Sequence, residues 1–237
     1  MIKNTNNIAK CNFGIMGALF IMIGTLFPSL FAIFLRPKQP FWENADVFVE
    51  HYHAIQSLPI YFGFFLIGGS IMLLTSIYLL STNRLYPLSG LIFGTIGASV
   101  ISLNYIIQTT FIPAVVKEYT EAHAVIIEAF AMGNPTSFAW AAEMWGYGFI
   151  GLATWFAASF FRNNGIEKFA KILFILNGIL SIAGALYTAF DLGWVLTTPG
   201  YISFGLWNIL YFLLAGVTIR VLLLRKDETS HELLSKD

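Results

Sequence analysis

The sequence predicts an all-α fold, a polytopic bundle of six transmembrane helices with two amphipathic helices on its exterior side. Hydrophobic residues make up 57% of the 237-residue chain and charged residues 11%, whereas an ordinary soluble domain carries about 25% charged residues. Six stretches with at most one charge reach the roughly 20 residues that a helix needs to cross hydrocarbon. Lysine and arginine gather in alternate connections, as in multispanning membrane proteins.

The charge balance and the hydropathy exclude several classes of protein. Thirteen Lys and Arg residues balance thirteen Asp and Glu residues, so the chain has no basic excess with which to bind nucleic acid. A mean hydropathy of +0.72 is too apolar for a soluble enzyme or a disordered chain. The single cysteine, Cys11, excludes an internal disulfide and an all-cysteine metal cluster.

Turn residues divide the chain into the six predicted spans. Pro59 opens the second span and Pro113 closes the third, while Asn134-Pro135 and Thr198-Pro199 each read as a cap followed by a first-turn proline. Only the fourth span carries a charge far from its ends, Glu143. The spans are predicted at about 13–35, 58–81, 88–112, 135–161, 169–190 and 199–224.

The loop charges predict that both termini are cytoplasmic, because Lys and Arg are retained on that side. Ten of the thirteen basic residues fall on the terminal side: Lys3, Lys10, Arg84, Arg162, Lys168, Lys171, Arg220, Arg225, Lys226 and Lys236. The opposite connections hold Arg36, Lys38 and Lys117. The first span is too long for a signal peptide and is expected to stay as an anchor. The tail 225–237, mixed in charge, is expected to be cytoplasmic and disordered.

Two long exterior connections each contain an apolar stripe at helical spacing, which predicts amphipathic helices at about 41–56 and 117–131. The stripe of the first comprises Phe41, Ala45, Phe48, Tyr52 and Ile55. The stripe of the second comprises Tyr119, Ala122, Val125, Ile126 and Phe130. Both helices are expected to lie on the bilayer surface or to cap the bundle.

Small and polar residues inside the spans indicate which helix faces look inward. Gly90, Gly94, Gly97, Asn104 and Gln108 share an arc of about 80° on the third span, and Asn177, Ser181, Gly184, Thr188 and Asp191 share an equal arc on the fifth. For the glycines, close helix packing is the favoured interpretation. The amides need hydrogen-bond partners in the lipid core, so packing and a binding site both stay open for them.

Glu143 is the centre of the predicted site, because a carboxyl group in hydrocarbon is costly unless it is neutral, paired or in water. Asn104, Gln108 and Asn208 are its expected partners. The alternative is that Glu143 reaches interfacial water. The ligand-binding residues predicted to line an outer-leaflet pocket are Asn104, Gln108, Trp140, Glu143, Tyr147, Asp191 and Asn208.

A metal site is a weaker hypothesis on the exterior side. His51, His53, His123 and Glu121 supply imidazole and carboxylate groups that suit a divalent ion. His51 and His53, however, are two residues apart and would point to opposite sides of a helix. The competing interpretation is that all four are solvated residues of the surface helices, and no other cofactor is predicted.

Two stretches carry a resemblance to known proteins through their hydrophobic rhythm and short basic turns. They are GYGFIGLATWFAASFFRNNGIEKFAKILFILNGILSIAGALY at 146–187 and SIYLLSTNRLYPLSGLIFGTIGASVISL at 76–103. On the basis of these two stretches, the middle two thirds of the chain resembles a broad family of bacterial multi-helix integral membrane proteins of unknown function. The resemblance implies a bacterial inner-membrane location and a helical bundle, and it assigns no activity.

Three function classes follow from these residues. The favoured one is a protein that binds or transports a small or lipid-like molecule through the outer-leaflet pocket, and the glycine stripes would allow it to form a homodimer. The alternatives are a metal-dependent membrane enzyme that uses the exterior His and acidic residues, and a structural or sensory bundle without a ligand. The lipid bilayer is the partner common to all three.

Overall fold

The computed structural model describes residues 2–35 and 40–234, without the side chains of 2–5, 32, 33 and 231–234. Helices account for 86% of the residues, and the described part of the chain contains no strand. The predicted all-α class is therefore confirmed. Arg36, Lys38 and Lys236, which enter the loop charge count, lie outside the described residues.

The described residues form nine α-helices. Their bounds are α1 Ile2–Phe34, α2 Ala45–Glu50, α3 Leu58–Leu80, α4 Leu85–Ile106, α5 Ile112–Lys117, α6 Ala124–Phe130, α7 Phe138–Ala157, α8 Gly165–Thr188 and α9 Thr198–Leu234. Single 3-10 turns occupy Ala54–Ser57, Glu121–His123, Ala158–Phe160 and Leu192–Leu196.

The six long helices form a closed ring in the order α1, α3, α4, α7, α8, α9, and α9 packs back against α1. Neighbours in the ring are antiparallel. We call the end that holds the short connections 81–84 and 158–164 the turn end, and the end that holds residues 40–57, 118–137 and 189–197 the loop end. α2 and α6 lie at the loop end.

Five of the long helices in the described part of the chain are apolar and long enough to cross a membrane. They are α1, α3, α4 with its continuation to Lys117, α8 and α9. α7, with 20 residues, does not reach the same hydropathy and carries Glu143. Large apolar side chains such as Ile92, Leu103, Ile179 and Ile209 are exposed on the outside of the ring. Such a surface suits lipid rather than water.

Glycines bring neighbouring helices into backbone contact near the middle of the bundle, as the small-residue stripes predict. A Cβ atom at Gly97 on α4 would lie 2.6 Å from the carbonyl oxygen of Gly146 on α7. A Cβ atom at Gly17 on α1 would lie 2.7 Å from the carbonyl oxygen of Gly69 on α3. No larger residue fits at these positions without moving a backbone, so the packing interpretation of the third-span glycines accounts for them.

The third and fourth spans have different bounds from those predicted. The helix does not end at Pro113 but continues to Lys117 through a π turn at Ile107–Phe111. In this wider turn the backbone N–H of Ile112 bonds the carbonyl of Ile107, and the wider backbone relieves the clash that a proline ring makes with the preceding helical turn. α7 begins at Phe138, because Asn134 and Pro135 form a separate turn in which the Asn134 side chain accepts a hydrogen bond from the backbone of Thr136 at 3.0 Å.

The last helix is longer than the predicted sixth span. Pro199 lies in its first turn, as expected, and the Thr197 hydroxyl accepts a hydrogen bond from Gly200 N at 3.3 Å. The prediction of a disordered tail from residue 225 is wrong as far as Leu234, where α9 ends. Arg225 holds this extension in place with hydrogen bonds to the Glu167 carboxylate at 2.7 and 3.2 Å.

The two long connections contain broken helices rather than one helix each. Residues 41–56 form only α2 and a 3-10 turn, and Phe41 is 93% exposed. Residues 117–131 contain the end of α5, a 3-10 turn and α6, so the predicted stripe does not run through; Val125 is exposed and Ile127 is buried instead. The two regions nevertheless share a small apolar cluster of their own around Ala45, Ile112, Ile127 and Ala131.

A tyrosine and an aspartate also join the two connections. The Tyr119 hydroxyl donates a hydrogen bond to Asp46 Oδ1 at 2.6 Å. This bond raises the pKa of Tyr119 to about 12, because it favours the protonated hydroxyl.

Candidate functional site

A cavity of about 1360 Å³ occupies the centre of the ring toward the loop end. Every long helix contributes to its wall: Phe31 from α1, Gly63 from α3, Tyr105 from α4, Glu143 from α7, Ser181 from α8 and Trp207 from α9. Trp42 and Phe48 line it from the loop end. Pockets for small ligands have volumes of about 300 to 1,000 Å³, so this cavity has room for a bulky organic molecule.

Glu143 lies in the cavity wall, 5% exposed, and has two hydrogen-bond donors. Asn104 Nδ2 donates to Oε2 at 2.9 Å, and the Tyr105 hydroxyl donates to Oε1 at 3.0 Å. Of the three expected partners, Asn104 bonds Glu143, whereas Gln108 and Asn208 donate to the backbone carbonyls of Phe130 and Phe204 instead. Both donors are neutral, and the salt bridges in the described part of the chain involve other carboxylates.

Tyr105, Tyr147 and Trp207 line the cavity on its turn-end side, and Tyr211 packs against Trp207 behind them; we call these four residues the aromatic floor. The Tyr105 and Tyr147 hydroxyls are 2.9 Å apart; because Tyr105 gives its proton to Glu143, Tyr147 is the donor in this pair. The Tyr147 and Trp207 rings have centroids 4.7 Å apart, and Trp207 stacks on Tyr211 at 5.0 Å.

Hydrogen bonds to other helices fix the aromatic floor. Trp207 Nε1 donates to Ser181 Oγ on α8 at 2.9 Å, and the Tyr211 and Ser70 hydroxyls are 2.8 Å apart. Ser70 gives its own proton to the carbonyl of Leu66, so Tyr211 donates to Ser70. Gly63 leaves the space that the Tyr105 ring fills, since a Cβ atom there would lie 2.7 Å from Tyr105 Cζ.

Gln108 and Trp140 line the cavity, and their polar side-chain atoms form hydrogen bonds with the backbone of the segment 130–132. Gln108 Nε2 donates to the carbonyl of Phe130 at 2.7 Å, and its Oε1 accepts from Met132 N at 3.1 Å. Trp140 Nε1 donates to the carbonyl of Met132 at 2.9 Å. The π turn that contains Gln108 turns this amide toward the segment, so both residues hold one wall of the cavity in place.

Of the remaining predicted site residues, two line the cavity and two do not. Tyr147 and Asn208 line the cavity, and Asn208 Nδ2 bonds the carbonyl of Phe204 in its own helix at 2.9 Å. Asn104 lies behind the wall and reaches Glu143 from there. Asp191 is exposed at the start of the 3-10 turn 192–196 and does not line the cavity. The structure therefore brings together six of the seven predicted residues around one cavity.

Sequence reasoning missed Tyr105 and Trp207, although both are central to the site. Tyr105 lies four residues after Ile101 and only about 20° outside the inward arc of its span, so a slightly wider arc would have included it. Trp207 adjoins Asn208, but nothing in the local pattern separates it from a lipid-facing tryptophan such as Trp155, which is 47% exposed. Only its contact with Ser181 on another helix shows the difference.

The candidate metal ligands do not come together. Among the described residues there is no group of three or more His, Cys, Asp and Glu side chains that could hold a metal ion. His51 Nδ1 lies 3.0 Å from the carbonyl of Val47, while His123 Nδ1 accepts a hydrogen bond from Thr120 N at 3.2 Å. Glu121 and His53 are exposed. These positions favour the interpretation of the four residues as parts of the solvated surface.

Comparisons of the chain with family models, with characterised proteins and with solved structures found no match. The resemblance to bacterial multi-helix membrane proteins therefore stays a prediction, and the case for function depends on the cavity.

Proposed function

We propose that this chain is an integral membrane protein that binds or transports a small or lipid-like molecule through the central cavity. In this proposal α7 also crosses the membrane, as the fourth of six spans, both termini are cytoplasmic in a bacterial inner membrane, and the loop end faces outward. The cavity then lies in the outer leaflet.

The observation that carries the proposal is the cavity itself, about 1360 Å³ and lined mainly by apolar and aromatic residues around one buried carboxyl group. A bundle without a ligand would gain stability by filling such a volume with side chains, because each empty region removes packing contacts. An apolar wall with a few placed polar groups is the usual lining of a ligand site.

An opening toward lipid supports an amphiphilic ligand. Residues 201–206 at the loop end of α9 are all exposed, and α8 packs more loosely against α9 than any other neighbours in the ring pack against each other. Leu180 and Leu206 line the cavity and are also 53% and 62% exposed. An apolar molecule dissolved in the bilayer could therefore enter beside α9 without crossing water.

The position of α7 supports its assignment as a span. It packs along both α4 and α8, which are themselves long enough to cross a membrane, and its Glu143 points into the ring rather than toward lipid. A periplasmic reporter such as alkaline phosphatase, fused to the C-terminus of the full chain, should be inactive and a cytoplasmic fluorescent reporter active. An active periplasmic fusion would overturn the six-span topology.

Two single-tryptophan variants test occupation of the cavity by lipid-like molecules. One keeps only Trp207 in the aromatic floor, and the other keeps only Trp155 on the lipid-facing side. Each is placed in nanodiscs of phosphatidylcholine with dibrominated acyl chains, or in ordinary nanodiscs with added 1-bromododecane, because bromine quenches tryptophan fluorescence on contact. We expect both probes to quench both tryptophans. Quenching of Trp155 alone by both probes would refute the proposal and favour a bundle without a ligand.

A further inference from the structure

We propose that the molecule held in the cavity is an organic cation, an amine or quaternary onium with an apolar body, whose charge pairs with Glu143. This inference rests on the proposed function, because it names the chemical class of the ligand for the same cavity.

The charges of the lining residues favour a cation. Of the described residues that line the cavity, Glu143 is the single acidic residue and none is Lys or Arg; the one imidazole, His51, lies on α2's C-terminal side at the loop end. The anionic headgroup of a fatty acid or acidic phospholipid would therefore meet a carboxyl group and no basic partner in the described wall. An ionised ligand of the opposite sign would find its counter-charge at Glu143.

The hydrogen bonds of Glu143 leave room for such a ligand. A carboxylate can accept about four hydrogen bonds, and Asn104 and Tyr105 supply one each. A buried carboxylate is costly without an opposite charge. Glu167 at the turn end has such a partner, because Arg225 pairs with it. A cation in the cavity would supply the charge that the two neutral donors do not.

The walls suit the same class of ligand. Tyr147, Trp207 and Trp140 line the cavity together with Glu143, and aromatic faces attract cations through their quadrupole, most strongly for Trp. A quaternary onium is poorly hydrated and needs no directional hydrogen bond, so ring faces and one carboxylate are sufficient to bind it. The remaining volume, within about 1360 Å³ in all, would hold its apolar groups.

The test compares three probes of similar shape and different charge: tetraphenylphosphonium, triphenylphosphine oxide and tetraphenylborate. Binding to the full chain in phosphatidylcholine nanodiscs is measured by equilibrium dialysis, with empty nanodiscs subtracted for partition into lipid. We expect tetraphenylphosphonium to bind most tightly, the neutral oxide more weakly and tetraphenylborate not at all.

Glu143→Gln isolates the charge, and Glu128→Gln is its matched control, since Glu128 is exposed and does not line the cavity. We expect Glu143→Gln to weaken tetraphenylphosphonium binding by about 30-fold, the low end of what loss of one member of a buried charge pair causes. Binding of the neutral oxide should be unchanged in both variants. Glu128→Gln should bind all three probes as the wild type does.

Asn208→Lys provides a second variant in case Glu143→Gln does not fold, which a melting curve would show. It places a positive charge on the cavity wall, and we expect it to abolish tetraphenylphosphonium binding and to permit tetraphenylborate binding. Equal binding of the cation and the neutral oxide to the wild type, unchanged by either substitution, would overturn the inference and leave the proposed function standing. Absence of binding by all three probes to the wild type would count against both.

Discussion

The two halves of the same ring of helices are built in opposite ways. Toward the turn end, glycines such as Gly90, where a Cβ atom would lie 2.8 Å from the carbonyl oxygen of Ala153, let neighbouring helices pack closely, and the Arg225–Glu167 ion pair joins α9 to α8. At the loop end, the same helices enclose a cavity, and α9 exposes residues 201–206. The aromatic floor separates the halves. The difference teaches that side-chain size and polar partners, rather than hydropathy, decide where a bundle of apolar helices closes.

Gly69→Ala should have the largest effect, because it forces apart two helices whose backbones are in contact. Its Cβ atom would lie 2.8 Å from Ile21 N, a backbone atom of α1 that cannot rotate away. We expect a loss of about 3 kcal/mol, the upper end of common overpacking costs, seen as a lower melting temperature in detergent. Gly68→Ala, one position away on α3 with no atom within 4 Å of its Cβ, is the control. Equal melting of the two variants would show that α1 and α3 do not touch as described.

Arg225→Met tests the anchor of α9 at the turn end. The Arg225 guanidinium bonds Glu167 and the carbonyl of Phe160 and lies 3.8 Å from the Phe160 ring centroid. Removing it leaves the Glu167 carboxylate short of a partner, with an expected cost of about 2 to 3 kcal/mol, below the cost for a fully buried pair because both side chains retain some exposure.

Lys226→Met is the matched control for that change, since the Lys226 ammonium bonds the side chain of Asn12 at the surface. Its expected cost is below about 1 kcal/mol. Equal loss from the two substitutions, measured by thermal unfolding in detergent, would contradict a special role of Arg225.

Glu143→Leu tests the hydrogen bonds of the open half. It leaves Asn104 Nδ2 and the Tyr105 hydroxyl without their acceptor, and an unpaired buried polar group costs about 1 to 3 kcal/mol. We expect Glu143→Gln to melt near the wild type, because its amide oxygen still accepts one of these bonds. If the Leu, Gln and wild-type proteins melted alike across pH, Glu143 would be an interfacial residue in water.

Tyr119 should give the smallest effect, confined to the loop end. Its pKa is raised to about 12 by the hydrogen bond to Asp46, so the stabilising contact is complete below the ordinary tyrosine pKa of about 10 and is lost as the pH rises through about 12. The ultraviolet absorbance of tyrosinate, wild type minus Tyr119→Phe, should therefore show one late-titrating tyrosine. A difference curve centred near the ordinary value would mean that Tyr119 does not bond Asp46.

The sequence by itself determined the features that depend on single helices. Uncharged length and proline or cap positions predicted that six long helices occur and roughly where each lies, and helical periodicity placed Asn104, Gln108, Glu143 and Tyr147 on inward faces. These signals are local, because the lipid-facing side of a helix and its inward side differ in residues three and four apart. Asp191 follows the last residue of its span, so no helical turn beyond it shows which way its side chain faces. Its exposed position was therefore not predicted.

The tertiary structure alone decided which inward residues meet. Tyr105 reaches Glu143 across 38 positions of the chain, and Trp207 reaches Ser181 from another helix; periodicity gives the direction of a side chain but not the identity of the helix opposite it. Tertiary contacts also decided which face of α6 is buried at the loop end. Ile127 packs against Ala45, Ile112 and Ala131, whereas Val125, which the predicted apolar stripe contained, is exposed. The cavity lies between residues of all six long helices, so it is a property of the assembled ring that no single helix carries.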